Sequence, residues 1–149
     1  MVVMTNLNGH EAQLSAEQIQ SLWSAARSAQ SKAYAPYSRY QVGVALLDEN
    51  GDIHSGCNVE NAAYPQGWCA EASALSAMVM AGARRVSAVL LVGSGSTWVT
   101  PCGGCRQKLR EFAGPDTPIY SASAQALGSV HTLGQLLPHS FGPDQLDSV

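Results

Sequence analysis

Apolar and polar residues follow one another along this chain in two periods, and together they mark out a regular succession of elements. Ser15-Ala16-Glu17-Gln18 is a capping-box pattern, with Leu14 and Ile19 spaced as a hydrophobic staple across it. Beyond it Ile19, Leu22, Trp23, Ala26 and Ala33 share one face of a helix expected to run to about Tyr34. Pro36 and the turn Ala35-Pro36-Tyr37-Ser38 stop it. Residues 40–47 read as a strand rich in Val and Leu, and Gly43 inside it signals a backbone or ligand passing close. Asn50-Gly51 turns the chain, so a second strand at 53–58 returns antiparallel. After a loop at 59–68, a second helix opens near Cys69 and ends at Gly82; Ala72, Ala74, Ala77 and Ala81 favour helix and close packing. Residues 87–93 are apolar on both faces, the mark of a buried parallel strand. A third helix covers about 102–112 behind Pro101, and Gly114-Pro115-Asp116 ends it. Residues 117–123 form another strand, 129–131 a short edge strand, and Thr132-Leu133-Gly134-Gln135 caps a short helix through Leu137.

This order predicts an α/β fold: a three-layer α-β-α sandwich around a central mixed sheet of about five strands, with the strands flanking the third helix parallel. The 149 residues suit one domain, with 1–13 and 144–149 as flexible ends.

Composition narrows the possible partners. Only 13% of residues are charged, the net charge is −3, and the charges are scattered. No basic stripe is available for a phosphate backbone, so no nucleic acid partner is expected. Residues 1–6 lack the pattern of a secretory signal, and no apolar run reaches membrane-spanning length. In such a chain a C-x-x-C pair reads as metal-binding or redox chemistry, which implies a reducing, cytoplasmic compartment and no membrane partner.

The candidate chemistry lies in Cys69-Ala70-Glu71 and Pro101-Cys102-Gly103-Gly104-Cys105. Three thiolates can hold a zinc ion and leave its fourth tetrahedral position open, as catalytic zinc sites do. Both segments begin predicted helices, whose N-terminal dipoles and spare N–H donors stabilise thiolates. Glu71, two residues from the first sulfur, is near enough to handle a proton from water at the open position. Taken singly, each part has a plainer reading. C-x-x-C at a helix start is also a redox pair, Glu71 a dipole-complementing surface residue, and Cys69 a small core residue. Cys57 reads as core, and His10, His54, His131 and His139 as structural or exposed.

The joint pattern resembles that of the zinc-dependent deaminases. The chain as a whole resembles the cytidine deaminases of the short tetrameric type. The likeness spans 33–143 and is carried by five segments in order. They are Ala35-Pro36-Tyr37-Ser38-Arg39-Tyr40-Gln41-Val42-Gly43; Gly56-Cys57-Asn58-Val59-Glu60-Asn61-Ala62-Ala63-Tyr64; Cys69-Ala70-Glu71; Pro101-Cys102-Gly103-Gly104-Cys105-Arg106-Gln107; and Leu136-Leu137-Pro138-His139-Ser140-Phe141-Gly142-Pro143.

The resemblance implies hydrolytic deamination of cytidine and 2′-deoxycytidine to uridine and 2′-deoxyuridine in pyrimidine salvage, by a homotetramer with sites near its subunit interfaces. By position, Cys69, Cys102 and Cys105 would bind one zinc per chain, and Glu71 would shuttle the proton. Asn58 and Glu60 would hydrogen-bond the ribose hydroxyls, with Tyr40, Val59 and Ala70 also at the substrate. Phe141 would reach a neighbouring subunit's site and Tyr64 would lie at a subunit contact. Two positions depart from the family pattern: Ala72 stands where an arginine is usual, and Tyr40 where a phenylalanine is usual. Other readings are a deaminase of another aminopyrimidine nucleoside of the blasticidin type, a structural zinc module, or a thiol-redox protein.

Overall fold

Residues 14–147 are described by the computed structural model of the chain, and every structural statement below concerns them. The first helix, α1 (Ala16–Gln30), opens on the expected reciprocal cap: Ser15 Oγ accepts from the Gln18 amide at 3.1 Å, and Gln18 Oε1 accepts from the Ser15 amide at 2.9 Å. It ends earlier than its periodicity suggests. Tyr34 leaves the helix because its N–H donates to the Asn58 carbonyl at 3.0 Å while its own carbonyl accepts from the Glu60 amide at 2.8 Å. Ala29 rather than Ala33 therefore completes the buried face with Ile19, Leu22 and Ala26.

Strands β1 (Val42–Asp48) and β2 (Ile53–Cys57) form the expected antiparallel hairpin. Asp48 organises its turn: Oδ1 accepts from the amides of Asn50 and Asp52 at 2.8 and 2.9 Å, and Oδ2 meets His54 Nε2 at 2.8 Å. A second helix, α2 (Ala70–Met80), leads to β3 (Val86–Gly93), then α3 (Gly103–Arg110), β4 (Pro118–Ala122), edge strand β5 (Leu127–Thr132) and α4 (Leu133–Leu136). Thr132 caps α4 through the anticipated box. The sheet order is β2-β1-β3-β4-β5. Only the β3–β4 pair, which brackets α3, is parallel.

Strand alternation sorts the core into two layers. Ala45, Leu47, Leu90 and Val92 face α1, packing with Leu22 and Ala26. Val44, Leu46, Val89 and Leu91 face the other way, against Leu75 and Met78 of α2 and Leu109 of α3. The three-layer sandwich is thus the observed architecture.

Two strand glycines mark where helix backbone meets sheet backbone. A β-carbon on Gly43 would lie 2.0 Å from the Ala26 carbonyl oxygen, so the signal at this position was α1 pressing on β1. Gly56 plays the same part beneath α2.

Of the ends expected to be flexible, 1–13 and 148–149 lie outside the described residues. Within the remainder, Pro143–Leu146 form a final turn, α5, and Arg110 makes an ion pair with Asp144.

Candidate active site

The first turns of α2 and α3 meet at one end of the sheet. Cys69 is the N-cap of α2 and Cys102 the N-cap of α3, while Cys105 sits one turn into α3. Their three sulfurs all lie within 4.8 Å of one another. A tetrahedral zinc with Zn–S bonds of about 2.3 Å separates its sulfurs by about 3.8 Å, so this set closes on such an ion with small side-chain adjustments. Among the described residues no further His, Cys, Asp or Glu joins the ligand group. Cys105 is buried, whereas Cys69 and Cys102 face solvent, so the cluster is open on one side.

Glu71 is outside the ligand group but turned toward it. It is only 5% exposed, and its carboxyl group and the Cys105 thiol perturb one another's ionisation. Burial pushes its pKa above the usual carboxylate range, against the pull of its own backbone N–H, the Cys105 thiol and the Lys108 charge. Burial likewise raises the Cys69 and Cys105 thiols. The Cys102 thiol is lowered, chiefly by the Cys105 backbone N–H. So many adjacent acidic groups resist ionising together, and a divalent cation among them reverses that order.

The residues expected to recognise a substrate arrive by a different route. Val59 and Trp68 exchange two backbone hydrogen bonds of 2.8 Å, closing the 59–68 loop on itself and bringing the 58–60 segment beside Cys69. Asn58 spans to β1, accepting from the Val42 amide at 2.8 Å and donating to the Tyr40 carbonyl at 2.9 Å. Glu60 accepts from the Tyr37 amide at 2.8 Å and from the amide and hydroxyl of Ser38. Tyr37, Ser38, Glu60, Asn61, Tyr64 and Gly67 line a cleft of about 360 Å³. Tyr37 and Tyr64 meet edge to face across 5.9 Å.

Tyr40 packs its ring against the Gly93 and Gly95 backbone, with its hydroxyl 2.6 Å from where a Gly93 β-carbon would stand. Ala70 is buried. Val59 and Phe141 are exposed, and the Phe141 carbonyl accepts from Gln107 Nε2 at 3.0 Å.

Arg106, in the first turns of α3, is a cation close in sequence to Cys105 and so could offset thiolate charge where Ala72 supplies none. Its guanidinium instead binds the carbonyls of Pro101 and Leu136 at 2.7 and 2.8 Å and Thr100 Oγ1 at 3.1 Å, holding the loop before α3 to α4. Lys108 is the cation felt at Glu71. Sequence reading passed over it, although its spacing of one turn from Cys105 was a usable signal. Ser38 was missed too, because its partner Glu60 is 22 residues away.

The family described as "Cytidine and deoxycytidylate deaminase zinc-binding region" matches residues 16–121. A cytidine deaminase of Sporosarcina psychrophila is 38% identical over 128 residues, covering 86% of this chain and 94% of that one. One from Halalkalibacterium halodurans is 40% identical over 115 residues, covering 77% and 87%. In structure, the cytidine deaminase of Burkholderia pseudomallei superposes with a TM-score of 0.77 at 40% identity, covering 82% of this chain and 98% of that one. With a sulfur cluster, a buried glutamate facing it and these matches across most of its length, the chain belongs to the cytidine deaminase family.

Proposed function

We propose that the protein hydrolyses the C4 amino group of cytidine and 2′-deoxycytidine, giving uridine or 2′-deoxyuridine and ammonia. The observation that carries this reading is the placement of Glu71: buried, outside the ligand group, and near enough to one of three converging sulfurs for the two to perturb each other's ionisation. Cys69, Cys102 and Cys105 would hold one zinc ion per chain, which when bound would lower the pKa of the attacking water.

Glu71 would act as the proton shuttle, taking a proton from the attacking water and delivering it to N3 of the pyrimidine as the water oxygen bonds to C4. It then passes the second proton to the amino nitrogen, the C4–N bond breaks and ammonia leaves. Burial of Glu71 supports this traffic, since a shuttle must both take and release its proton near neutral pH. Asn58 and Glu60 bind the ribose hydroxyls, Tyr40, Val59 and Ala70 border the substrate position, and Phe141 serves a neighbouring subunit.

The wider setting is a single-domain homotetramer acting in cytoplasmic pyrimidine salvage. Exposed Tyr64 and Phe141 support contact between subunits. No helix among the described residues is long and apolar enough to cross a membrane. The test is an absorbance-loss assay with cytidine, 2′-deoxycytidine, cytosine and adenosine, with and without a zinc chelator, alongside metal analysis. Chelator-sensitive turnover of the two pyrimidine nucleosides and one zinc per chain support the proposal. Metal-free active protein, or no turnover by zinc-loaded protein, refutes it.

A further inference from the structure

We propose that Ser38 is a positioning residue for substrate recognition: its hydroxyl holds the Glu60 carboxylate in the orientation that meets a sugar hydroxyl. Ser38 thereby sets the discrimination between nucleosides that carry that hydroxyl and those that lack it. The inference rests on the reading of Glu60 as a ribose-binding residue.

A glutamate on a loop has several rotatable bonds and no fixed aim of its own. Glu60 has one here. Its Oε2 accepts from the Tyr37 amide at 2.8 Å, the Ser38 amide lies 3.2 and 3.3 Å from the two carboxylate oxygens, and the Ser38 hydroxyl donates to Oε1. The Ser38 hydroxyl is itself oriented. Its oxygen accepts the Tyr40 N–H at 3.0 Å, which turns its single proton toward Glu60. The Tyr40 carbonyl in turn accepts from Asn58 Nδ2 at 2.9 Å. The two peptide groups of Tyr40 thus tie Asn58 and Glu60 into one network, and Ser38 is the link on the Glu60 side.

Two features show that the link is built rather than incidental. Arg39, between Ser38 and Tyr40, has φ +58°, a conformation that a non-glycine residue holds where its surroundings impose it. Ser38 and Glu60 also line the same 360 Å³ cleft. Because one amide is shared between the two oxygens, the carboxylate keeps acceptor capacity for a ligand hydroxyl. The hydrogen bond from Ser38 also holds Glu60 below the usual glutamate range, so it stays an acceptor.

The experiment compares steady-state kinetics on cytidine and on 2′,3′-dideoxycytidine for zinc-loaded wild type, Ser38→Ala, Ser38→Cys, Ser38→Thr and Glu60→Gln. Loss of a hydroxyl donor to a carboxylate should raise KM for cytidine about tenfold in Ser38→Ala, with kcat held within about threefold. Turnover of 2′,3′-dideoxycytidine should change by no more than about threefold, and Ser38→Thr should restore the cytidine KM. Ser38→Cys, near-isosteric with a weak donor, carries the same test if the alanine variant does not fold. Equal losses on both substrates, or none on cytidine, overturn the inference. If Glu60→Gln discriminates and Ser38→Ala does not, Ser38 alone loses its role. If Glu60→Gln fails to discriminate, the ribose reading of Glu60 falls and takes this inference with it.

Discussion

Gly56 of β2 lies so close to Ala74 of α2 that a β-carbon on it would stand 2.4 Å from the Ala74 amide nitrogen and 2.7 Å from the Ala70 carbonyl oxygen. Ser73 reinforces the contact by donating to the Cys57 carbonyl at 2.9 Å. The helix that carries Cys69 and Glu71 is therefore seated on the sheet backbone itself. Neither backbone can yield readily, so Gly56→Ala should push α2 outward. The expected cost is about 1–3 kcal/mol, as for other overpacked cores. Thermal unfolding measures it, and zinc titration against a chelator should show weaker binding by the displaced Cys69. Unchanged stability and zinc affinity would show that α2 can shift freely.

Glu71→Gln should keep its zinc and lose turnover. The amide fills the same space but cannot accept and pass on a proton, so a fall in kcat of roughly 10²–10⁴-fold is expected. Metal content and kcat measured on the same preparation separate the two effects. Near-normal turnover would remove Glu71 from the proton path.

Lys108 reaches the field of Glu71 across one turn of α3. With Ala72 uncharged and Arg106 bound to carbonyls, Lys108→Gln should lower kcat/KM by roughly threefold, and the deficit should shrink as salt rises. Ala72→Arg should add little to the wild type and compensate the Lys108 variant. A salt-independent loss would point to packing rather than charge.

Asp48 is 3% exposed, and its pKa is lowered chiefly by the hydrogen bond from His54. A carboxylate depressed in the folded state contributes stability that is present above its unfolded pKa and lost as pH falls through the folded one. Asp48→Asn should therefore lower the unfolding temperature at pH 7, and the gap from wild type should close below about pH 4. An equal gap at both ends of the range would assign the effect to hydrogen-bond geometry alone.

Local interactions account for what could be read without coordinates. Ser15 with Gln18, and Thr132 with Gln135, are three residues apart, so their caps follow from short-range geometry and appear as expected. Asn50-Gly51 makes its hairpin for the same reason: Gly51 supplies a φ of +87°. The spacing of Cys102 and Cys105 likewise puts both sulfurs on one helix turn.

Only the tertiary structure could decide where chain segments far apart in sequence compete for the same backbone groups. Periodicity carries α1 to Tyr34, but the 58–60 segment takes the Tyr34 hydrogen bonds, and no local pattern announces a partner so distant. Arg106 looks like a free cation in sequence until the Pro101 and Leu136 carbonyls claim it. The chain's own residues determined which chemistry was possible: sulfurs at two helix starts, with a carboxylate beside one. Folding decided that these converge, because two helices packed on one face of a sheet bring their N-termini to a common point that neither sequence segment specifies alone.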